Sequence, residues 1–557
     1  MVHIRPVRMA ALGLTAALVL TACAESERGD DGGDAGGQTG GTMTFGTEGA
    51  PKLFDPFYAT DGPTFRTSQQ IFEGLVEFKP GTAEAAPGLA ESWENSEDGL
   101  TWTFKLREGV KFHDGTDFNA EAACFNFERW YNTTGAAQSP AVTGYWQDNF
   151  GGFADKKAPS LYESCTVSDP TTIEVKLTRY TSKFPDILGL PSWSMQSPTA
   201  LEKYNANEVT QQGDSFAFPE YATEHPTGTG PFKFERYDEA NGTVELVRND
   251  DYWGEKAKLD KLIFRAIPDE TARKQALEAG DIDGYDLPGP ADWQDLEDQG
   301  FQLLIRPAFN IFYVGIGQKN VPQLRDLKVR QAIAHAIDRE GLVQQMLPEG
   351  AEVAENFYPD TVFGWTDDVQ SYDHDPDKAK QLLADAGAQN LSVNFYWPTE
   401  VTRPYMPDPR AMFGFIQGNL EDVGIKLNVV SKPWNGGYLE DVDQGKADLF
   451  LLGWNGDYNT PDNFLGNFFS DPNNRFGTGN SPWGATLSDE LKAADSEVDD
   501  ETRQGMYEEI NKKLKAEYLP AVPISHSPPA LVIAENVSGL VASPLTDEKF
   551  NTVSIGS

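Results

Sequence analysis

Arg403 and Asp457 are the two side chains of this sequence whose chemistry could hold a small charged molecule. A guanidinium can clamp a carboxylate through two parallel hydrogen bonds, and a carboxylate can pair with an ammonium group. Tyr405 and Trp454, which lie in the same two loops, offer flat aromatic surfaces. This set suits a small zwitterion. The alternative is that Arg403 and Asp457 are solvated, or that they pair with each other.

The two loops leave predicted strands of a lobe in which helices and strands alternate. Apolar runs predict strands over Leu391–Trp397, Ile425–Val430 and Leu449–Trp454. Helices are predicted from Asp375 to Gly387 and from Asp408 to Gly424, because each segment begins with an Asp-Pro pair and ends with glycine. The order indicates an α/β lobe with a largely parallel sheet. In such sheets, ligands bind beyond the carboxyl ends of the strands.

The chain before residue 305 has a different texture, in which strands and loops dominate. Leu100–Leu106 and Thr172–Leu177 alternate apolar with polar residues, as half-buried strands do. Gly228–Pro231 predicts a tight turn. The expected organisation is a first lobe over residues 42–308, a second lobe over 309–522 and a return to the first lobe over 523–557.

The composition excludes several classes of protein. The 557 residues hold 45 Lys plus Arg against 86 Asp plus Glu, a formal net charge of -41, so a nucleic-acid partner or a polybasic membrane contact is not expected. The 12 Trp, 19 Tyr and 33 Phe are too many for a wholly disordered chain.

The familiar signatures of catalysis and of metal binding are missing from the sequence. It has no nucleophile elbow, no phosphate-binding glycine loop and no zinc-protease helix motif. Five histidines are scattered singly, without ligand spacing: His113, His225, His335, His374 and His526. We therefore expect neither a metal nor another cofactor, and no residue stands out as catalytic. A catalytic pair of carboxylates, as in glycosidases, is left open by so acidic a sequence.

The first 41 residues predict export and membrane anchoring. Arg5 and Arg8 precede the uncharged stretch Met9–Ala22, as in a signal peptide over residues 1–22. The run from Leu20 to Cys23 resembles a bacterial lipobox, in which the cysteine receives a diacylglycerol lipid anchor. Residues 24–41, rich in glycine and acidic residues, then form a flexible tether. The alternative is an ordinary signal peptide with an incidental cysteine. We expect attachment through Cys23 to the extracytoplasmic face of the cell membrane.

With Cys23 acylated, Cys124 and Cys165 are the two remaining cysteines. Outside the cytoplasm an even pair favours a disulfide. Two buried free thiols are the alternative.

A series of motifs resembles the extracellular solute-binding proteins of family 5, which are the peptide- and nickel-type receptors of ABC importers. The resemblance covers about residues 44–525. It rests on these segments, in the order of the family: Ile71–Val76, Pro87–Trp93, Gly99–Phe118, Gly228–Phe232, Arg248–Gly254 and Arg330–Arg339.

This resemblance implies a class C periplasmic-binding-protein fold of type II, in which two α/β lobes are joined by a two-strand hinge and close over a ligand. It also implies a receptor that docks on ABC permease subunits rather than an enzyme. The segments Arg403–Tyr405 and Trp454–Asp457 are most similar to those of dipeptide receptors. There the matching arginine takes the peptide carboxylate and the matching aspartate takes the peptide ammonium.

Three hypotheses of function follow. The leading one is a lipid-anchored, monomeric receptor for short peptides. The second is the same fold with another solute, such as an oligosaccharide or a chelated metal; a neutral sugar would stack on Trp434 and Trp454 and would need neither charge of Arg403 and Asp457. The third is an exported hydrolase, which would need a titrating carboxylate pair or a metal.

Overall fold

The computed structural model of this chain describes residues 40–213 and 215–556. The predicted signal peptide, Cys23 and nearly all of the predicted tether lie outside the described residues.

Strands before residue 306 build the first lobe. They are β1 Thr42–Thr47, β2 Val76–Phe78, β3 Ala85–Pro87, β4 Ala90–Asn95, β5 Thr101–Leu106, β6 Tyr162–Asp169, β7 Thr172–Leu177, β8 Thr210–Gln212, β9 Ser215–Ala217, β10 Phe232–Asp238, β11 Thr243–Arg248, β12 Lys261–Ala266, β13 Gly284–Asp286 and β14 Gln302–Ile305. Six strands follow in the second lobe: β15 Asn310–Ile316, β16 Glu352–Val353, β17 Ser392–Thr399, β18 Lys426–Pro433, β19 Leu449–Asn455 and β20 Ala521–His526. The last three are β21 Ala530–Ile533, β22 Val537–Ser538 and β23 Ser554–Ile555.

The α-helices divide in the same way. Those of the first lobe are α1 Gly62–Ile71, α2 Ala120–Tyr131, α3 Pro140–Asn149, α4 Phe184–Ile187, α5 Pro198–Lys203, α6 Glu220–Thr223, α7 Glu270–Glu278 and α8 Trp293–Asp298. Those of the second are α9 Leu327–Ala336, α10 Arg339–Met346, α11 Pro376–Asp385, α12 Pro409–Asp422, α13 Leu439–Asp443, α14 Leu465–Phe469, α15 Gly484–Asp495 and α16 Asp500–Lys513. No helix within the described ranges is long and apolar enough to cross a membrane.

Two sheets dominate the first lobe. The larger has seven strands in the order β10-β11-β12-β1-β13-β21-β14, with β1 parallel to β12 and β13. The smaller has the order β4-β5-β7-β6, and α2 packs on it. A disulfide joins Cys124 of α2 to Cys165 of β6, with 5.3 Å between their Cα atoms. The bridge therefore attaches this helix to its sheet.

The second lobe has one sheet of six strands, in the order β16-β20-β15-β19-β17-β18. Its β17 is parallel to β18 and β19, whereas β15 is antiparallel to β19 and β20. With β16 also antiparallel to β20, three of the five strand pairs are antiparallel, so the prediction of a largely parallel sheet was wrong. Parallel pairing needs a crossover such as α12, which connects β17 to β18, while β15 and β20 are the strands that enter and leave the lobe.

The predicted helices α11 and α12 are confirmed with their ends. Asp375 accepts the backbone N–H of Lys378, and Asp408 accepts that of Ala411. Gly387 follows α11 with a φ of 65°, a left-handed conformation that glycine adopts without steric cost.

The chain crosses between the lobes twice, and the two crossings are hydrogen-bonded to each other. The first joins β14 to β15, and the second joins β20 to β21. The side chain of Asn310 donates to the carbonyl of Ser527 at 2.7 Å and accepts the Ser527 N–H at 3.1 Å, while the N–H of Arg306 donates to the Pro529 carbonyl at 2.8 Å. These two connecting segments form the hinge. The second crossing follows His526, so the expected return at residue 523 falls within β20.

Candidate functional site

The five residues predicted to bind a ligand line one cavity between the two lobes: Arg403, Tyr405, Trp434, Trp454 and Asp457. All five belong to the second lobe, at the carboxyl ends of β17, β18 and β19 or in the loops that follow them. The opposite wall comes from first-lobe segments that sequence reasoning did not identify.

Asp457 lies two residues beyond β19 and is held by Asn463. The carboxamide oxygen of Asn463 accepts the backbone N–H of Asp457 at 2.8 Å and the indole N–H of Trp454 at 3.2 Å. Burial raises the pKa of Asp457 to about 7; the hydrogen bond from Asn463 opposes this rise, and the nearby Asp148 adds to it. A cation beside Asp457 would compensate for the lost hydration of its carboxylate.

Arg403 is fixed by a tight turn and by an aromatic ring. Its backbone N–H donates to the Met406 carbonyl at 3.2 Å, and the Met406 N–H donates to the Arg403 carbonyl at 2.9 Å. The guanidinium lies over the Trp434 indole, with 4.4 Å between Cζ and the ring centroid. Its Nε is buried and has no hydrogen-bond partner in the part of the chain that the structure describes. The N–H groups of this side chain are therefore available to an anion in the cavity.

Tyr405 packs closely against β19 because Gly453 has no side chain. A Cβ at Gly453 would lie 2.4 Å from Cδ2 of Tyr405 and 2.2 Å from the carbonyl oxygen of Ile311. Tyr405 is only 5% exposed, and burial raises the pKa of its phenol. Its ring is thereby a fixed wall of the cavity rather than a mobile side chain.

Arg403 and Asp457 do not pair with each other, and neither forms an ion pair with any other residue in the described ranges. The alternative of a mutual ion pair is thus wrong. The second-lobe wall of the cavity therefore presents one cation and one carboxylate to whatever occupies it.

A buried ring of four charges supports the first-lobe wall. Arg66 binds Asp286 and Glu548, the latter at 3.1 Å. Arg306 binds the same two carboxylates at 2.7 and 2.8 Å. Arg66 and Asp286 also line the cavity. Two cations and two anions in alternation leave this ring without net charge.

Backbone strain marks the first-lobe wall as well. Leu287 and Thr546 both line the cavity, and their φ angles are 57° and 59°. Non-glycine residues adopt this left-handed region at a cost of about 1 kcal/mol or more. Such strain is typical of functional sites, and no sequence pattern signals it here.

His225 is less isolated than the sequence suggested. Its ring and the carboxylates of Glu220 and Glu224 have possible ligand atoms within 4.8 Å of one another. Both glutamates are exposed, and His225 already shares a hydrogen bond of 3.0 Å with Glu220 and stacks on Tyr204. This is an ordinary surface arrangement outside the cavity.

Comparison with known proteins identifies the family of this chain. The sequence pattern of "Bacterial extracellular solute-binding proteins, family 5 Middle" matches residues 84–476. The chain belongs to this family. A dipeptide-binding protein of Escherichia coli is 33% identical over 92% of this chain and 94% of its own length. Heme-binding protein A of Haemophilus influenzae is 32% identical over 98% of this chain and 99% of its own length.

Solved structures of family 5 proteins share the two-lobed fold. An ABC transporter-associated periplasmic binding protein from Helicobacter pylori, in complex with the peptide STSA, superposes with a TM-score of 0.75 at 27% identity. The match covers 93% of this chain and 99% of that one. The expected fold, two α/β lobes on a two-strand hinge, is confirmed.

Sequence reasoning missed the first-lobe half of this family 5 cavity. Glu48, Phe65, Tyr145 and the segment Leu545–Asp547 line it. These residues are up to about 500 positions apart and carry no common motif, so only the tertiary structure assembles them.

Proposed function

We propose that this chain is the substrate-binding component of an ABC importer, which captures short peptides between its lobes and delivers them to a membrane permease. The observation that supports this proposal most directly is that Arg403 and Asp457 line one cavity and have no ion-pair partner among the described residues. A short peptide is a zwitterion with one carboxylate and one ammonium, so it supplies a partner for each. The dipeptide-binding relative and the peptide-bound neighbour support the same ligand class.

In this proposal Arg403 binds the peptide carboxylate, and Asp457 binds the amino terminus. Trp434 orients Arg403, and Tyr405 and Trp454 form the apolar walls beside the peptide backbone. Closing the lobes removes water from both termini, which strengthens each charge-assisted hydrogen bond. The protein performs no chemistry on the peptide, and no turnover is expected.

The test is calorimetric titration of ligand-stripped protein with a dipeptide in free, N-acetylated and C-amidated forms. Asp457→Ala and Arg403→Ala should each weaken binding of the free dipeptide by at least about 30-fold, because each leaves a ligand charge buried and unpaired. Asp457→Ala should remove the preference for a free amino terminus, and Arg403→Ala the preference for a free carboxylate.

Asp489→Ala and Arg410→Ala are matched controls, because both side chains are exposed and lie outside the cavity. Both controls should bind as the wild type does. If the wild type bound blocked and free dipeptides equally, the peptide proposal would fail, and a neutral solute stacked on Trp434 and Trp454 would replace it.

We also propose that the mature protein begins at Cys23, carries a diacylglycerol anchor there and works as a monomer at the extracytoplasmic face of the membrane. The lipobox-like run ending at Cys23 and the glycine-rich segment after it support this. Cys23→Ser should abolish the acylated species in whole-cell mass spectrometry and leave the chain unprocessed by signal peptidase II, while the folded body still binds peptide. Retained acyl chains on the variant would contradict the anchor.

A further inference from the structure

The charges that line the cavity do not cancel when a simple dipeptide is added. Four of them have partners in the protein. Asp61 lies 3.5 Å from Lys52, Asp547 lies 3.4 Å from Lys549, and Arg66 and Asp286 belong to the neutral ring of four. Three lining charges remain without an ion pair among the described residues: Arg403, Asp457 and Glu48. The termini of a dipeptide account for the first two only.

Glu48 follows β1 on the first-lobe wall, and its carboxylate lacks the contacts that a buried charge needs. Its Oε2 is buried and has no hydrogen-bond partner within residues 40–213 and 215–556. Its Oε1 points toward Gly62, another lining residue, and lies 3.7 Å from where a Cβ of Gly62 would be. Burial raises the pKa of Glu48, and the nearby Asp286 raises it further. A buried charged oxygen without a partner is costly.

Arg66 does not serve as the cation for Glu48, although it is close enough to lower the pKa of that carboxyl. Its two terminal nitrogens are already bonded to Asp286 and Glu548. Asp547 differs from Glu48 because Lys549 stands beside it. Glu48 is therefore, after Asp457, the second lining carboxylate that no cation of the described residues neutralises.

We propose that Glu48 binds a cationic group of the ligand, so that the receptor selects short peptides carrying a lysine or arginine side chain. The inference rests on the proposed function, since Arg403 and Asp457 are taken to hold the two termini. A peptide with one basic side chain has one anionic and two cationic groups, which match Arg403, Asp457 and Glu48 one to one. An uncharged peptide leaves Glu48 desolvated.

The test compares dipeptides that differ only in the side-chain charge. Ligand-stripped protein is titrated with Lys-Ala and Ala-Lys, with the same dipeptides containing norleucine in place of lysine, and with the same dipeptides containing Nε-acetyl-lysine. The wild type should bind at least one lysine dipeptide about 10-fold or more tightly than both of its uncharged counterparts, since a hydrogen bond to a charged group contributes that much.

Glu48→Gln should remove this preference by weakening the lysine dipeptide at least about 10-fold and the norleucine dipeptide less than about 3-fold. Glu297→Gln, an exposed change outside the cavity, should leave the ratio as in the wild type. Circular dichroism checks the folding of each variant. The acetyl-lysine comparison uses wild-type protein alone, so it decides the question even if Glu48→Gln does not fold.

Equal affinity of the wild type for lysine, norleucine and acetyl-lysine dipeptides would overturn the inference while leaving the peptide receptor intact. So would an equal loss for both dipeptide classes in Glu48→Gln. Failure of every dipeptide to bind, or indifference to blocked termini, would instead overturn the proposed function.

Discussion

The carboxamide oxygen of Asn463 lies 2.8 Å from the backbone nitrogen of Asp457 and accepts its N–H. Asn463 is 1% exposed and does not line the cavity, so it acts on a ligand only through Asp457 and Trp454. It is a positioning residue.

Asn463→Ala should therefore weaken binding of a free dipeptide about 2- to 12-fold, the range for one lost hydrogen bond. It should also raise the pKa of Asp457, because Asn463 lowers that pKa in the intact protein. The pH at which binding is half lost should then move upward. Titrations across a pH series test both effects, and a merely structural role would weaken binding without moving that pH.

Binding of a free amino terminus should fall as the pH drops below about 7. The pKa of Asp457 is about 7 without ligand, and only its ionised form attracts an ammonium group. Each pH unit below that value should cost up to about tenfold in affinity, because a proton must leave first. Above about pH 8 the peptide amine loses its own proton. Calorimetry from about pH 5.5 to 9 should give a bell-shaped dependence of affinity on pH. In Asp457→Asn the fall in affinity on the acid side should be absent. An acid limb as steep in Asp457→Asn as in the wild type would contradict the assignment.

Asp457→Asn should also raise the melting temperature of the ligand-free protein at pH 8. The pKa of Asp457 is higher in the folded chain than the ordinary 3.8, so the folded state binds more protons between about pH 4 and 7. Wild-type stability therefore declines as the pH rises through this window, and the uncharged variant escapes the decline. Scanning calorimetry should show no difference near pH 4 and the full difference above pH 7. A variant that melts lower than the wild type at pH 8 would contradict this.

Trp434→Ala should weaken binding of free-acid dipeptides about 2- to 30-fold, the range for a cation–π contact. C-terminal amides should be affected less, because Arg403 is taken to bind the carboxylate. A double-mutant cycle with Arg403→Ala isolates the coupling between the two side chains. Additive losses would show that Trp434 acts independently of Arg403.

Cys124→Ser combined with Cys165→Ser should lower the stability of the first lobe. The disulfide closes a loop with a sequence separation of 41, for which chain entropy gives about 4 kcal/mol as an upper figure. Urea unfolding measures the loss. Thiol counting on denatured, unreduced wild-type body should find neither cysteine reactive, and two reactive thiols would exclude the bridge.

The second-lobe half of the site could be predicted because its signals are local. Asp375 and Asp408 are helix caps that any short window of sequence reveals, and the apolar runs of β17 and β19 show where each strand ends. The rule that ligands bind beyond strand ends then pointed to Arg403 and Asp457.

The first-lobe half lacked such signals. Glu48 stands out only once Arg66 is seen to be bound in the neutral ring of four charges. The members of that ring, Arg66, Asp286, Arg306 and Glu548, are up to 482 residues apart. The mixed second-lobe sheet was missed for a related reason. Whether β15 runs parallel or antiparallel to β19 depends on where the chain enters the lobe, and strand composition does not record that.

The ring of four charges also limits the order in which the two lobes can complete their folding. Glu548 lies 482 residues after its partner Arg66, and β21 must insert between β13 and β14, so the first lobe stays incomplete until β21 and Glu548 have been synthesised. All six strands of the second-lobe sheet lie between Asn310 and His526, so this sheet has its strands before β21 is synthesised. Domains usually form in the order of synthesis, amino-terminal first. Here the first lobe is the first to be synthesised and the last to be completed, because β13 and Arg66 lack partners until β21 and Glu548 have been made.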